Sequence, residues 1–489
     1  MNLSKIISQT VPDGYYVGGA LRDSLLKRPS GDIDIALPKE SVREAALSLA
    51  RKLKASAFEM DAQFGVWRLT TKNGLQIDLA AYQGKNIKED LLRRDFAANS
   101  LGLPVKAECG VIYKKGFLLK FNKKDLLDFS GGLDDIKNKI LNINNKKVFK
   151  EDPLRMLRAY RTASELGFKI SPSTTAQLKK DKKLISKPAG ERVRTELVRL
   201  FTAQDAYEFL CDMDKTGLLT ALFPELEKQR RCAPQYYGDG GVLKHTLLVV
   251  KRLEWLLGNL KKVFPKHYKK LEKVTKEKHL FIMAALLHDV AKPATAKMLG
   301  GRLRFFHHEE KGAEMAKEIL TALRYSTAET RLICAMIASH LRPSNLASNG
   351  DISDKSAYKF FRSLGESAIP MLLLCWADYG SYVTDAQLKK ILKRSGEEVM
   401  SLEEGKAEGP FAKTLRHMQV VSFLFNKFFD EKKKIIPVKL LDGREIMQIL
   451  NIPSGPKIGE YMELLAEAQA EGKVTDKESA AEFLKNIKK

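Results

Sequence analysis

Cysteine is scarce in this chain of 489 residues: Cys109, Cys211, Cys232, Cys334 and Cys375 are scattered with no CxxC pair. That excludes a disulfide framework or a thiolate zinc site and leaves reduced, packed thiols. No apolar run approaches the roughly 18 residues of a membrane span. The longest, such as Met371 to Ala377, are core-sized, and the opening MNLSKIISQT has no apolar stretch of the signal-peptide kind. A soluble, cytoplasmic protein away from any membrane is expected. Repeats of fixed period are missing too, and 44% apolar with 29% charged residues excludes disordered, collagen-like and coiled-coil classes. Acid is in short supply: 60 Asp and Glu face 84 Lys and Arg, a net +24. Such an excess suits a polyanion, because each neutralised phosphate releases counterions. A solvated lysine surface has the same composition, so charge alone names only a class of partner.

The length suggests about two to four domains. Between residue 11 and about 145, strand-length apolar stretches (Gly14 to Val17, Ile33 to Leu37, Val66 to Thr70, Leu75 to Leu79) alternate with helix-period segments such as Val42 to Leu53. After Val148 the pattern is almost entirely helical, broken at Pro172, Pro188, Pro224, Gly238 to Gly241 and Pro343. The expected architecture is multidomain α+β: a mixed-sheet head at 1–147, then an all-α remainder.

The head carries the first chemistry. Tyr16-Val17-Gly18-Gly19 reads as a strand entering a tight turn before a helix, where backbone N–H groups and the helix N-terminus can face a triphosphate. Alone, a double glycine also serves as plain turn geometry. In Gly31-Asp32-Ile33-Asp34-Ile35, alternation puts both carboxylates on one strand face and both isoleucines on the other. Asp32 and Asp34 at this spacing can share Mg²⁺, or they can be the polar face of an edge strand. A second alternating strand, Leu75 to Leu79, offers a third carboxylate, Asp78. Two ions about 3.5–4 Å apart would activate a hydroxyl and stabilise departing pyrophosphate.

GGALRD followed by GDIDIA resembles the catalytic signature of polymerase-β-like nucleotidyltransferases, specifically the class II tRNA nucleotidyltransferase and bacterial poly(A) polymerase family. Arg93-Arg94-Asp95-Phe96-Ala97-Ala98-Asn99-Ser100 resembles that family's RRDFTxNA segment, departing from it at Ala97 and Ser100. The resemblance implies triphosphate binding by Gly18, Gly19, Arg22 and Arg94, and ribose positioning by Asp95 and Asn99. Glu151-Asp152-Pro153-Leu154-Arg155, running on to Arg158, is similar to the EDxxR motif. Asp152 and Arg155 share a helical face, and their acceptor and donor groups can present an edge complementary to C or A while rejecting G and U. Pro188 to Leu197 resembles the family's neck motif, and the segment from Leu440 to Glu460 its closing tail; the resemblance implies that the helical remainder divides into a neck at 148–205, a body at 206–400 and a tail at 401–489.

The body holds a second set: His245, the doublet His288-Asp289, His308, His340 and Asp378. Neutral imidazoles with carboxylates suit a divalent transition metal, and the order resembles the HD phosphohydrolase superfamily. Any one of these histidines could equally be a satisfied core residue. His307, His267, His279 and His417 are read as surface or structural.

The resemblance implies template-independent addition of C, and of the terminal A of CCA, to tRNA 3′ ends from CTP and ATP. The short stretch from Asp78 to Arg93 resembles members that add only CC, leaving A to a separate A-adding enzyme. The basic surface would clamp the acceptor and T arms of tRNA. Polyadenylation of other RNAs, an HD phosphohydrolase with an inactive head, and a noncatalytic RNA-binding module are the alternatives.

Overall fold

The computed structural model describes residues 3–61, 65–106, 109–113, 116–348, 353–401, 411–435 and 438–488. The chain forms two compact units, one of residues 1–204 with 212–222 and the other of residues 205–211 with 223–489.

The first unit is built on strands β1 (Tyr15–Val17), β2 (Asp32–Leu37), β3 (Ser56–Asp61), β4 (Val66–Thr70), β5 (Gln76–Ala81), β6 (Leu101–Pro104) and β7 (Leu127–Asp128). They make one mixed sheet in the order β3-β4-β5-β2-β1-β6-β7. Strand β1 is antiparallel to β2 and β6, whereas β2 and β5 run parallel, pairing Asp34 with Asp78 and Ile33 with Ile77. Alternation sends Ile33, Ile35, Ile77 and Leu79 into the core. Helices α1 (Gly19–Leu25) and α2 (Val42–Leu53) cover that face. In α2 the buried residues Val42, Ala45, Ala46, Leu49 and Ala50 fall on one stripe. The carboxylates of Asp32, Asp34 and Asp78 are left on the opposite, half-exposed face. Farther on, α3 (Arg155–Leu166) packs on α4 (Gly190–Thr202).

The second unit is helical. Its central helices are α5 (Gly241–Gly258), α6 (Lys278–Leu287), α7 (His308–Ala322), α8 (Thr327–Ser339), α9 (Ala368–Ser381) and α10 (Ala412–Asp430). Helices α6 and α9 are apolar on nearly every side and buried from Leu280 to Leu287 and from Ala368 to Asp378. The final helices α11 (Gly443–Leu450), α12 (Pro456–Ala470) and α13 (Lys477–Lys488) enclose a small core of their own around Ile446, Leu450, Leu465 and Leu484. The periodicity reading missed one β element here, the hairpin of β8 (Lys297–Leu299) and β9 (Arg302–Arg304). Three-residue strands are too short to leave a period of two. Among the described residues no helix is long and apolar enough to cross a membrane.

Gly241, at the start of α5, has φ +54°, and a Cβ there would lie 2.5 Å from Cys232 O and 2.6 Å from Gln229 O. Both the backbone angle and the crowding require glycine. Gly241→Ala should therefore destabilise the protein by on the order of 1–3 kcal/mol, measured by thermal or urea unfolding. Unchanged stability would contradict this packing.

Candidate functional site: a carboxylate cleft and an imidazole cluster

The end of β1 delivers the chain to Gly18, where φ is +76° and a Cβ would meet Asp34 Oδ2 at 2.9 Å and Arg94 Nη1 at 3.3 Å. Only glycine permits this approach of the turn to the carboxylate. One oxygen each from Asp32, Asp34 and Asp78 lie within 4.8 Å of one another, brought together by the parallel register of β2 and β5. Burial, then the charges of Asp32 and Asp78, push the Asp34 carboxyl up to about 6, with Arg94 and Arg68 pulling the other way. Three hard oxygen donors in mutual repulsion fit a divalent cation such as Mg²⁺.

Asp78 is not a bare carboxylate. Arg68 on β4 grips it bidentately, Nε donating to Oδ1 at 2.8 Å and Nη2 to Oδ2 at 2.6 Å. Periodicity missed this partner, because pairing Arg68 with Asp78 depends on the β4–β5 register.

A cavity of about 700 Å³ opens in front of this face. Of the residues singled out from sequence, Gly18, Gly19, Arg22, Asp32, Asp34, Arg94, Asp95, Asn99, Arg155 and Arg158 line it; Asp78 and Asp152 do not. Arg22 donates to Asn99 Oδ1 at 2.5 Å, and Asn99 Nδ2 donates to Asp95 Oδ1 at 3.1 Å. Asp95 is buried and ion-paired with Arg158 at 2.8 Å. Burial opposes its ionisation, but Arg158 and the Asn99 amide hold its pKa below the ordinary value. Arg94 is tied to Asp90 at 3.1 Å. Asp152 and Arg155 do not pair with each other. Asp152 takes the Leu154 N–H at 3.1 Å and Arg192 at 3.0 Å, while Arg155 pairs with Glu151 at 3.2 Å. The cavity also reaches Arg28, Arg161, Glu165 and Arg199, which no local motif marked. Arg28 donates to Glu165 O at 2.7 Å, and Arg199 pairs with the Glu165 carboxylate at 2.9 Å.

The second unit gathers the other set completely. His245 comes from α5, His288 and Asp289 follow α6, His308 opens α7, His340 follows α8 and Asp378 lies on α9. All six are buried. Around Asp289 stand His288 Nε2 at 3.2 Å, His245 Nε2 and His308 Nε2 each at 3.4 Å, and His340 Nε2 at 3.9 Å; Asp378 Oδ1 is 3.2 Å from His245 Nε2. The rings are oriented from behind. Nδ1 of His288, His308 and His340 faces the carbonyl oxygens of Ala285, Phe305 and Ile337 at 2.8, 2.6 and 2.7 Å. A carbonyl only accepts, so each Nδ1 carries the proton and each Nε2 turns a lone pair inward. Among the described residues, Nε2 of His245, His288 and His308 and Oδ1 of Asp378 find no hydrogen-bond partner although buried. Burial, together with the neighbouring His288, pushes His340 down to about 4. Despite burial, the His245 imidazole 3.2 Å away holds Asp378 at about 2. Inward lone pairs, ionised carboxylates and orphaned donor atoms fit a divalent transition metal, with Asp289 common to two possible ligand groups.

Lys292, one turn after the doublet and not singled out from sequence, reaches Asp289 Oδ2 at 2.6 Å and donates to Tyr237 Oη at 2.8 Å. Tyr237 and Tyr382 each stack on the His245 ring, at 4.9 and 5.0 Å between centroids. His267, His279 and His417 are buried outside this cluster, and His307 is exposed.

Three families match the chain in order: the poly A polymerase head domain at residues 14–142, the "probable RNA and SrmB-binding site of polymerase A" at 167–230, and the HD domain at 242–381. The chain is 29% identical over 482 residues to an A-adding tRNA nucleotidyltransferase of Deinococcus radiodurans, covering 97% of this chain and 95% of that protein. It is 28% identical over 489 residues to a CC-adding tRNA nucleotidyltransferase of Thermus thermophilus, covering 97% and 94%. Its fold is that of a CCA-adding enzyme solved with ATP (TM-score 0.65, 20% identity, 100% of this chain and 93% of that one). The same fold is seen in a Thermotoga maritima CCA-adding enzyme complexed with tRNA (TM-score 0.61, 19% identity, 100% and 99%). The chain is thus a nucleotidyltransferase head joined to an HD domain. The relatives that match it along nearly its whole length are tRNA nucleotidyltransferases, and the poly A polymerase head and RNA-binding models match its first half.

The Asp34 shift has a sign that can be checked on metal-free protein. A folded-state pKa near 6 exceeds the ordinary carboxylate value, so the Asp34 charge disfavours folding at neutral pH and the penalty fades as pH falls through 6 toward 4. Asp34→Asn removes the charge at every pH. It should stabilise the protein by on the order of 1–2 kcal/mol at neutral pH, after allowing for screening in the open cleft, and by about nothing near pH 4. A gain that does not vary with pH, or a loss at neutral pH, would refute this electrostatic picture.

Proposed function

We propose that this chain extends tRNA 3′ ends without a template, adding cytidine from CTP with release of pyrophosphate. The observation that carries this reading is the convergence of Asp32, Asp34 and the Gly18–Gly19 turn on one cleft. Asp32 and Asp34 would hold Mg²⁺, with Asp78 as a third carboxylate whose charge Arg68 partly offsets. The bound ion would acidify the attacking 3′ hydroxyl and neutralise charge on the departing pyrophosphate. The turn's N–H groups, Arg22 and Arg94 anchor the triphosphate. Asn99, oriented by Arg22 and Asp95, positions the ribose, and Asp95 also steadies Arg158. Asp152 and Arg155 read the base: Asp152 keeps lone pairs free beside its bond to Arg192 and can accept from the cytosine amine, while Arg155 donates to ring acceptors. Functionally, residues 1–147 then form the transferring head, 148–205 the base-reading neck, 206–400 the HD body and 401–489 a tRNA-gripping tail. The excess of 24 positive charges suits shape and phosphate recognition of the acceptor and T arms.

The short β5-to-Arg93 connection favours CC addition. Only Tyr82 to Asn86 separate β5 from a helix at Ile87–Arg93, and the Asn86 side chain caps that helix by accepting from Glu89 N. The span offers little of the length linked to switching from C to A, so the terminal A would come from a separate enzyme in the cytoplasm. Sequencing the 3′ ends made on truncated tRNA with mixed NTPs should yield –CC. Ready A addition after CC would overturn the restriction to cytidine, and long A tails would favour polyadenylation.

The orphaned imidazoles of the body favour an additional metal-dependent phosphohydrolase activity there. Purified protein should carry a divalent transition metal that Asp289→Ala removes. Metal-free protein lacking metal-dependent phosphodiesterase activity would refute this role.

A further inference from the structure

The β8–β9 hairpin lies between two members of the imidazole cluster in sequence, Asp289 and His308, and is anchored at its rim. Leu303 and Phe305 turn inward beside Cys232, Val242 and Tyr237. Phe305 O receives the His308 Nδ1 proton at 2.6 Å, and Lys292 lies over the Phe305 ring at 5.6 Å. Tyr236 Oη accepts from Leu303 N at 3.2 Å.

The exposed surface of the same hairpin is unlike an ordinary protein surface. Met298, Leu299 and Phe306 are 64%, 54% and 58% exposed. The register sets Lys297 directly opposite Arg304 and Leu299 opposite Arg302. Like charges directly opposed on an antiparallel pair are destabilising. Yet no acidic residue occurs between Asp289 and Glu309, and Lys297, Arg302 and Arg304 have no ion-pair partner among the described residues. Nothing within the fold rewards three unpaired cations and three bared hydrophobic side chains on so small an element. A ligand with closely spaced negative charges and flat apolar faces would reward both, and unpaired RNA has that chemistry: phosphates for the cations, base faces for Phe306 and its neighbours.

We propose that the β8–β9 hairpin with Phe306 is a binding surface for single-stranded RNA at the mouth of the HD cluster. The inference rests on the tRNA reading above and deepens it by giving the body its own contact with an unpaired RNA segment. The arrangement trades stability for binding, and that trade distinguishes it from an incidental basic patch.

The test uses the full chain, fluorescence anisotropy with a labelled tRNA transcript lacking its CCA end and with a short single-stranded oligoribonucleotide, and thermal unfolding without RNA. Arg302→Gln/Arg304→Gln should weaken oligonucleotide binding at least tenfold and flatten the slope of log affinity against log salt by about 1.4, two contacts at about 0.7 each. CTP incorporation should keep its KM for CTP. Arg304→Glu, which gives Lys297 an opposite charge, should raise the melting temperature by about 1–2 °C while weakening RNA binding as much or more. Phe306→Ala should weaken single-strand binding more than binding of a duplex of the same length. If wild-type protein extends tRNA but the double variant binds the oligonucleotide within twofold of wild type, the inference is overturned and the tRNA reading stands. If polyglutamate competes as well as RNA, the face belongs to an acidic protein and the inference is again overturned. Failure of the wild type to bind or extend tRNA would overturn the tRNA reading itself.

Discussion

The parallel pairing of β2 with β5 forces three carboxylates into a space where they repel one another, and much of the first unit is arranged around that repulsion. Ile33, Ile35, Ile77 and Leu79 cannot leave the core without exposing buried area, so Asp32, Asp34 and Asp78 cannot leave the cleft. The register therefore holds negative charge in place with the hydrophobic effect as its clamp. Two arginines relieve part of it, Arg68 from the neighbouring strand and Arg94 from beside the glycine turn. The remaining negative charge fits the divalent cation proposed for this cleft.

The second unit solves a related problem with different chemistry. Its six metal-type ligands are buried on five helices or their ends, where an unpaired polar atom is expensive. Backbone carbonyls take the outer proton of three rings; against the effect of burial, His288 and then Lys292 hold the Asp289 pKa low, and His245 does so for Asp378. The inner nitrogens then have no duty within the protein. In the first unit strain comes from charge held together, and in the second from lone pairs held apart from any donor.

Much of this was legible in the chain before its fold was known. Alternation around Asp32 and Asp34 gave the strand and its two faces, and the order of His245, His288-Asp289, His308, His340 and Asp378 marked the set that the fold brings together. The unread parts depend on pairings that no short segment encodes. Arg68 meets Asp78 only through the β4–β5 register, and Arg192 meets Asp152 across forty positions of sequence. Asp152 and Arg155 looked like natural partners on one helical face, yet Asp152 precedes α3 with φ −143° in an extended conformation, so their side chains diverge to Arg192 and Glu151. The β8–β9 hairpin escaped because its strands are too brief to show a period, though its lack of acid was visible in the composition.

The central claim is that Asp32 and Asp34 hold the metal that drives nucleotide transfer. Its most direct test is single-turnover incorporation of labelled CTP onto tRNA lacking its 3′ end, comparing wild type with Asp32→Ala/Asp34→Ala and with folding verified by circular dichroism. The account predicts a loss of at least about a thousandfold in the variant. Incorporation within tenfold of wild type would place the chemistry elsewhere and contradict it.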